Sequence, residues 1–212
     1  WGNAVAPLRA LYERGHPGTF LHPALYYYAA AAALAAAHAA AGGLGLAAGS
    51  LAELVAGDDR WLTWPARAVS VGAAILTMAA LYACGRRLWD RRAGLLAAAL
   101  LAAWPLHAVY SVAARVDSLF VLAFVVAAWR LLVLLERSER AAADGAALCV
   151  GLAIAANYNG AILLPWLVAA LWLRPGGAGW RDTGRALGLA AATFVAANPW
   201  LLLDPTGVRQ HV

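Results

Sequence analysis

The sequence predicts an all-α integral membrane protein, a multi-span helical bundle with a surface-lying apolar helix before its first full span. Three observations carry that prediction. Of 212 residues, 64% are hydrophobic and 13% charged, against about 45–50% and about 25% in ordinary soluble domains. The apolar residues fall into long uncharged runs, each near the ~20 residues that cross a ~30 Å hydrocarbon layer. The 16 basic residues are all arginine, and they concentrate in the short stretches between those runs. A soluble chain of this size could not hide so much apolar surface, because a domain of about 150 residues buries only ~70% of what its unfolded chain exposes. A soluble enzyme, a disordered tail and a disulfide-stapled module are therefore excluded. The net charge of +5 follows from the positive-inside bias of membrane proteins, so no nucleic-acid partner is expected.

Residues 1–64 read as an outer loop that carries the interfacial helix. Within it, 23–48 is uncharged and opens on His22-Pro23 and Tyr26-Tyr27-Tyr28, the aromatic anchor of a membrane interface. On composition alone this run could cross the bilayer or lie along it. Residues 65–212 then supply about six transmembrane helices. Four are the runs 68–85, 93–114, 118–135 and 186–203. The run 145–173 carries no charge, but Asn157-Tyr158-Asn159-Gly160 breaks its centre, so it reads as two short helices.

Arginine counting orients the set. The stretch 85–92 carries four Arg and belongs on the cytoplasmic side. Alternation then places Arg86, Arg87, Arg91, Arg92, Arg137, Arg140, Arg174, Arg181 and Arg185 inside, and Arg60, Arg67, Arg115 and Arg209 outside. A single span over 145–173 would move Arg174, Arg181 and Arg185 outside and erase the asymmetry. The same parity puts 49–65 outside, where Glu53, Asp58 and Asp59 fit. Cys84 and Cys149 lie within apolar runs, which argues against a structural disulfide or a metal pair. With Trp1 at its start and Met78 as its single methionine, the chain is expected to be a piece of a longer polypeptide.

With this topology the unusual polar side chains gather on one face: His22, Ser111, Arg115, Asp117, Asn157, Tyr158, Asn159, Asn198 and Asp204. Each has an ordinary explanation. Asn157 and Asn159 can cap the short helices, and Asn198-Pro199 can end a helix. Arg115 and Asp117 can be a surface ion pair worth ~0–1 kcal/mol. Arg130 reads as snorkelling to the cytoplasmic headgroups, and His38 and His107 as packing or interfacial residues. No phosphate loop, nucleophile elbow, zinc-protease helix or Cys/His metal spacing is present. A membrane transporter or lipid flippase is the competing reading. It predicts paired mid-span charges and broken helices in repeated halves, and the sequence offers only Arg130.

In order along the chain, His22-Pro23-Ala24-Leu25-Tyr26-Tyr27, Gly85-Arg86-Arg87-Leu88-Trp89, Pro105-Leu106-His107 leading to Ala114-Arg115-Val116-Asp117, Asn157-Tyr158-Asn159-Gly160 and Asn198-Pro199-Trp200-Leu201-Leu202-Leu203-Asp204-Pro205 together resemble the GT-C membrane glycosyltransferases. These use a polyprenyl-phosphate sugar as donor and include protein O-mannosyltransferases and lipid A aminoarabinose transferases. The resemblance implies a GT-C type bundle and sugar transfer, with inversion, to a hydroxyl of a lipid, glycan or protein acceptor. It implies a bacterial inner (plasma) membrane location, with the active face outward and membrane lipids as surroundings. It also implies surface helices in the first outer loop, which favours a non-spanning 23–48.

The resemblance assigns roles as well. The main catalytic base, one of an acidic pair, is expected upstream of Trp1, and further sequence is expected beyond Val212. Asp117 matches a second acidic position and is the catalytic candidate within the chain, positioning the acceptor or a metal. Arg115, His22, Tyr26, Asn157 and Tyr158 are candidates for the donor and its phosphate, and Asn198 and Asp204 are further polar residues of that face. Family members often have a lysine where Asn157 stands, so the phosphate contact passes to Arg115, Arg67 or a residue beyond Val212. A divalent cation at Asp117 is the candidate cofactor, and no organic cofactor is expected.

Overall fold

Short polar signals start some of the helices of this apolar chain. The protein is seen in a computed structural model that describes residues 5–19, 22–46 and 49–204; Trp1, Pro205 and Arg209 lie outside the described residues. Among these the chain is helical throughout: α1 (Val5–Arg14), α2 (Leu25–Gly43), α3 (Leu51–Ala56), α4 (Asp59–Leu88), α5 (Arg91–Ala103), α6 (Pro105–Ser111), α7 (Val116–Glu136), α8 (Arg140–Ala156), a 3-10 turn (Tyr158–Ile162), α9 (Leu163–Leu173), α10 (Trp180–Ala196) and α11 (Trp200–Leu203). Ser50 and Glu53 form a reciprocal capping box on α3. The Asp58 carboxylate accepts from the Arg60 backbone N–H at 2.9 Å, so α4 starts well before its apolar stretch. The Asp90 carboxylate accepts from the Ala93 N–H at 2.7 Å. Each cap satisfies an N–H that the first helical turn leaves without a partner.

Two departures from the sequence reading follow from proline. The run 93–114 is not one straight helix, because α5 and α6 meet at a 67° bend. Pro105 has no N–H and disfavours helical geometry at the residue before it, so Trp104 is extended. The run 186–203 likewise divides. Helix α10 begins earlier, at Trp180, and α11 follows Pro199. The break expected in 145–173 is present, with α8 and α9 separated by the 3-10 turn. The Asn157 side chain accepts from the Asn159 N–H at 3.1 Å, and the turn folds back on α8 so closely that a Cβ on Gly160 would meet the Ala153 carbonyl at 2.6 Å.

Among the described residues two helices, α4 and α7, are long and apolar enough to cross a membrane, and α5 with α6 makes a third if the bent pair is one span. Helices α8 and α10 have 17 residues each, about 25 Å at 1.5 Å per residue, and α9 is shorter. That these three also cross is carried by the arginine count, and we retain it as a proposal. They pack into a dry cluster with α7, in which Ala146, Ala147, Val150 and Ala153 of α8 meet Leu134, Leu167, Leu171 and Ala190. Small residues permit the approach. A Cβ on Gly85 of α4 would sit 2.7 Å from Cα of Gly94 in α5. A second cluster gathers Leu8, Tyr26, Tyr27, Leu34, Leu62 and Val116, seating α1 and α2 on α4 and the start of α7.

Ion pairs sort the helix ends. Arg87 meets Glu136 at 2.6 Å, Arg185 meets Asp144 at 2.7 Å, and Arg174 lies 3.9 Å from Asp182. These contacts bring the ends of α4 and α7, the start of α8, the end of α9 and the start of α10 to one arginine-rich end. Helices α8 and α9 are therefore antiparallel, as the arginine count required. The Arg130 guanidinium lies against Gly145 at the start of α8, where any Cβ would overlap it. Cys84 and Cys149 are free thiols.

Candidate functional site

The opposite end of the bundle holds the polar residues singled out by sequence, and α2 organises it. Helix α2 is laid on α4 through Tyr26, whose ring is fully buried. The Tyr26 hydroxyl donates to the Ala66 carbonyl at 2.9 Å and shares a 3.1 Å hydrogen bond with Ser70 Oγ. Ser70 Oγ in turn reaches the Arg115 carbonyl at 3.3 Å. A serine on α4 thus links the α2 tyrosine to the residue that opens α7. Burial pushes the Tyr26 and Tyr27 phenols up to about 12, which keeps both neutral.

The N-terminus of α2 is held from the other side by Asn198. This side chain, only 3% exposed, accepts from the Ala24 N–H at 2.6 Å and donates to the Phe194 carbonyl at 2.9 Å. It clamps the turn after His22 to the end of α10. A buried amide with donor and acceptor both used is a structural device, and it fixes where His22 stands.

Arg115 precedes α7 in extended conformation, so its side chain leaves the helix mouth. Its Nε donates to Asp117 Oδ2 at 2.7 Å, and the guanidinium sits over the Tyr110 ring at 4.8 Å. The Asp117 hydrogen bond raises the guanidinium above its ordinary value against a smaller opposing effect of burial. Asp117 lies in the first turn of α7, where a carboxylate is favoured by the helix dipole.

These residues wall two adjoining clefts. His22, Tyr26, Tyr27, Ala114, Arg115, Val116 and Asp117 line the first, a narrow opening of about 10 Å³. Pro17, Thr19, His22, Pro23, Ala24, Tyr158, Asn198, Trp200 and Leu201 line the second, equally narrow. His22 lines both. The structure therefore brings His22, Tyr26, Arg115 and Asp117 together, with Tyr158 and Asn198 on the far side of His22. Tyr158 packs edge-on to Phe194 at 6.2 Å. Asn157 caps its turn instead of lining either cleft, and Arg67 lies over Trp64 at 6.0 Å.

Sequence reasoning missed His16. Its Nδ1 accepts from the Gly18 N–H at 2.8 Å, its Nε2 lies 3.8 Å from Asp204 Oδ2, and Trp200 meets its ring edge-on at 4.9 Å. Nothing but residue type could have signalled it, since Trp200 and Asp204 come from the far end of the chain. Arg9 was missed because its partners lie 46 to 50 positions away. It bonds Val55 O, Gly57 O and Asp59 and so fixes α1 onto the start of α4.

Among the described residues no three His, Cys, Asp or Glu side chains gather into a metal site. Asp117 offers one carboxylate, already engaged by a cation, and that donor set does not fit a divalent ion by itself.

The family model described as dolichyl-phosphate-mannose-protein mannosyltransferase matches residues 46–202. The match takes in α3 to α10 with Arg115, Asp117, Asn157, Tyr158 and Asn198, while His22, Tyr26 and Asp204 lie beyond its ends. No curated protein and no solved structure shows a significant match.

Proposed function

From the premise that the chain belongs to the dolichyl-phosphate-mannose-protein mannosyltransferase family, a family of membrane glycosyltransferases, we propose that it moves a sugar from a polyprenyl-phosphate donor to an acceptor hydroxyl at its α2-covered end. The observation that carries this reading is the Arg115–Asp117 pair at the mouth of a cleft walled by His22 and Tyr26. The donor's tail rests in the bilayer and its sugar–phosphate bond lies at the surface, the level at which α7 begins.

Breaking that bond leaves negative charge on the phosphate, and a cation already aimed at the site stabilises it without reorganising. Asp117 holds Arg115 by Nε, which leaves the two Nη groups for phosphate oxygens. Tyr110 beneath the guanidinium holds its plane. His22 and the Tyr26 ring shape the wall against which the donor headgroup packs. Tyr158 and Asn198, across His22, border the neighbouring cleft. The acceptor hydroxyl needs a carboxylate base, and the resemblance assigns that role upstream of Trp1. One displacement inverts the anomeric centre. The acceptor is a lipid, glycan or protein, and the face is the outer one of a bacterial inner membrane.

Among the described residues the ion pairs sit at the two ends of the bundle, as a surface reaction asks, rather than along a transport path through its middle.

The test uses the full-length protein and a polyprenyl-phosphate sugar. Arg115→Gln is expected to lower kcat/KM by about 10²-fold or more, the scale of a lost charge-stabilising donor. Asp117→Asn is expected to lower it by a smaller factor, because Arg115 then loses its tether. Unchanged transfer in both variants sinks the assignment of this cleft.

A further inference from the structure

The arginine-rich end carries a buried cation that the proposed reaction does not use. Arg174 follows α9, and its side chain is 8% exposed. Its Nε donates to the Gly177 carbonyl at 3.3 Å, and its Nη2 stands 3.9 Å from Asp182 Oδ2, at the outer limit of an ion pair. Its Nη1 is buried without a hydrogen-bond partner among the described residues. A charged N–H withdrawn from water and left unpaired is costly.

The surroundings make the position still less favourable for an unaccompanied cation. Asp182 lies in the first turn of α10, so the guanidinium abuts the N-terminal, positive end of that helix dipole, the wrong end for an arginine. No side chain caps this N-terminus, and its first N–H groups are unspent. The connection between Arg174 and α10 passes through Gly176 and Gly177, both at positive φ, which brings the helix start back beside the guanidinium. An anion placed there would meet Arg174 and the first-turn N–H groups together, as phosphates do at helix N-termini.

The neighbouring surface identifies the anion's source. Trp172 and Trp180 pack edge to face at 4.9 Å and are 44% and 77% exposed, with Leu173 between Trp172 and Arg174 at 75%. Exposed indoles beside an arginine are the arrangement of a headgroup-level membrane interface. This end also carries nine arginines against the five acids Asp90, Glu136, Glu139, Asp144 and Asp182.

We propose that Arg174 and the uncapped start of α10 form a binding site for the phosphate of an anionic membrane phospholipid, at the end of the bundle opposite the transferase cleft. Asp182 sets the site's selectivity. Its nearby negative charge weakens a free dianion, while the tryptophans hold the glycerol and acyl portion of a singly charged phosphodiester lipid. The site does not depend on the transfer reaction, and it stands or falls separately from it.

The experiment uses the full-length protein in detergent with phosphatidylglycerol, phosphatidylcholine and inorganic phosphate as separate probes. Retained lipid is read by native mass spectrometry, and thermal unfolding is followed in parallel. The wild type is expected to retain phosphatidylglycerol over phosphatidylcholine and to unfold at higher temperature with it. Arg174→Gln is expected to lower phosphatidylglycerol retention about tenfold or more, and Arg174→Lys to restore part of it. If Arg174→Gln folds poorly, the wild-type comparison of the two lipids decides alone. Equal retention of the two lipids by the wild type overturns the proposal. So does undiminished phosphatidylglycerol binding by a folded Arg174→Gln. Inorganic phosphate matching the lipid's stabilisation overturns the lipid assignment.

Discussion

At the scale of single residues, the polar side chains of the α2-covered end divide into those that meet the cleft and those that hold it. Arg115 and Asp117 are partly exposed and pair through one edge, whereas Asn198 is buried and has used both ends of its amide. Asn198→Ala therefore leaves the Ala24 N–H buried without a partner. It is expected to cost about 1–3 kcal/mol, seen as a lowered midpoint of thermal unfolding in detergent. Residual transfer activity, scaled to folded protein, should fall less than in Arg115→Gln. An unchanged midpoint would remove Asn198 from the account of how His22 is placed. Polarity in an apolar setting picked out both classes of residue in the sequence. Which class each belongs to depends on partners up to 174 positions away, and no local pattern carries that.

At the scale of elements, α2 is the piece whose docking shapes the site, and its tyrosines make that docking sensitive to pH. The Tyr26 and Tyr27 phenols are raised to about 12 from an ordinary value near ~10. A group whose folded-state value is raised contributes stability that is intact below its unfolded value and lost as pH climbs through the folded one. Stability is therefore expected to hold up to about pH 10 and to fall between about 10 and 12. Tyr26→Phe should reduce that alkaline slope, measured by unfolding across this range, while lowering stability at pH 8 through the lost hydrogen bond to Ala66. An identical slope would mean that α2 does not leave in the transition.

The α8–α9 turn is the other decisive element. Gly160→Ala places a methyl against the Ala153 and Ile154 backbone at 2.6–2.7 Å. It is expected to destabilise by about 1–3 kcal/mol, read again from unfolding, with Gly188→Ala, which meets nothing within 4 Å, as the neutral comparison. The break itself was legible because Asn157 and Gly160 interrupt an apolar run. The 67° bend at Pro105 was written in the sequence too, but hydropathy ran across it. Composition averages over the one residue that cannot donate to the helix.

At the scale of the whole molecule, the arginine count and the ion pairs agree on which loops share an end. With Cys84 and Cys149 replaced by alanine, single cysteines at the exposed Trp89 and Trp180 should react with a membrane-impermeant maleimide only after the membrane is opened. A cysteine at the exposed Val112 should react in intact cells. Trp89 and Trp180 labelling on opposite sides would break the antiparallel α8–α9 pair and the topology built on it.

The sequence by itself determined the membrane setting, the family, the grouping of the loops and the cluster around Arg115 and Asp117. These follow from one-dimensional properties: the free energy of apolar runs, the count of charges between them and the order of short motifs. Only the tertiary structure decided that Tyr26 and Asn198 lock α2 in place, that His16 faces Asp204, and that Arg174 lies buried at the start of α10. Each of these depends on which hydrogen-bonding groups end up without water and who stands beside them. That is settled by packing between distant segments rather than by any pattern along one of them.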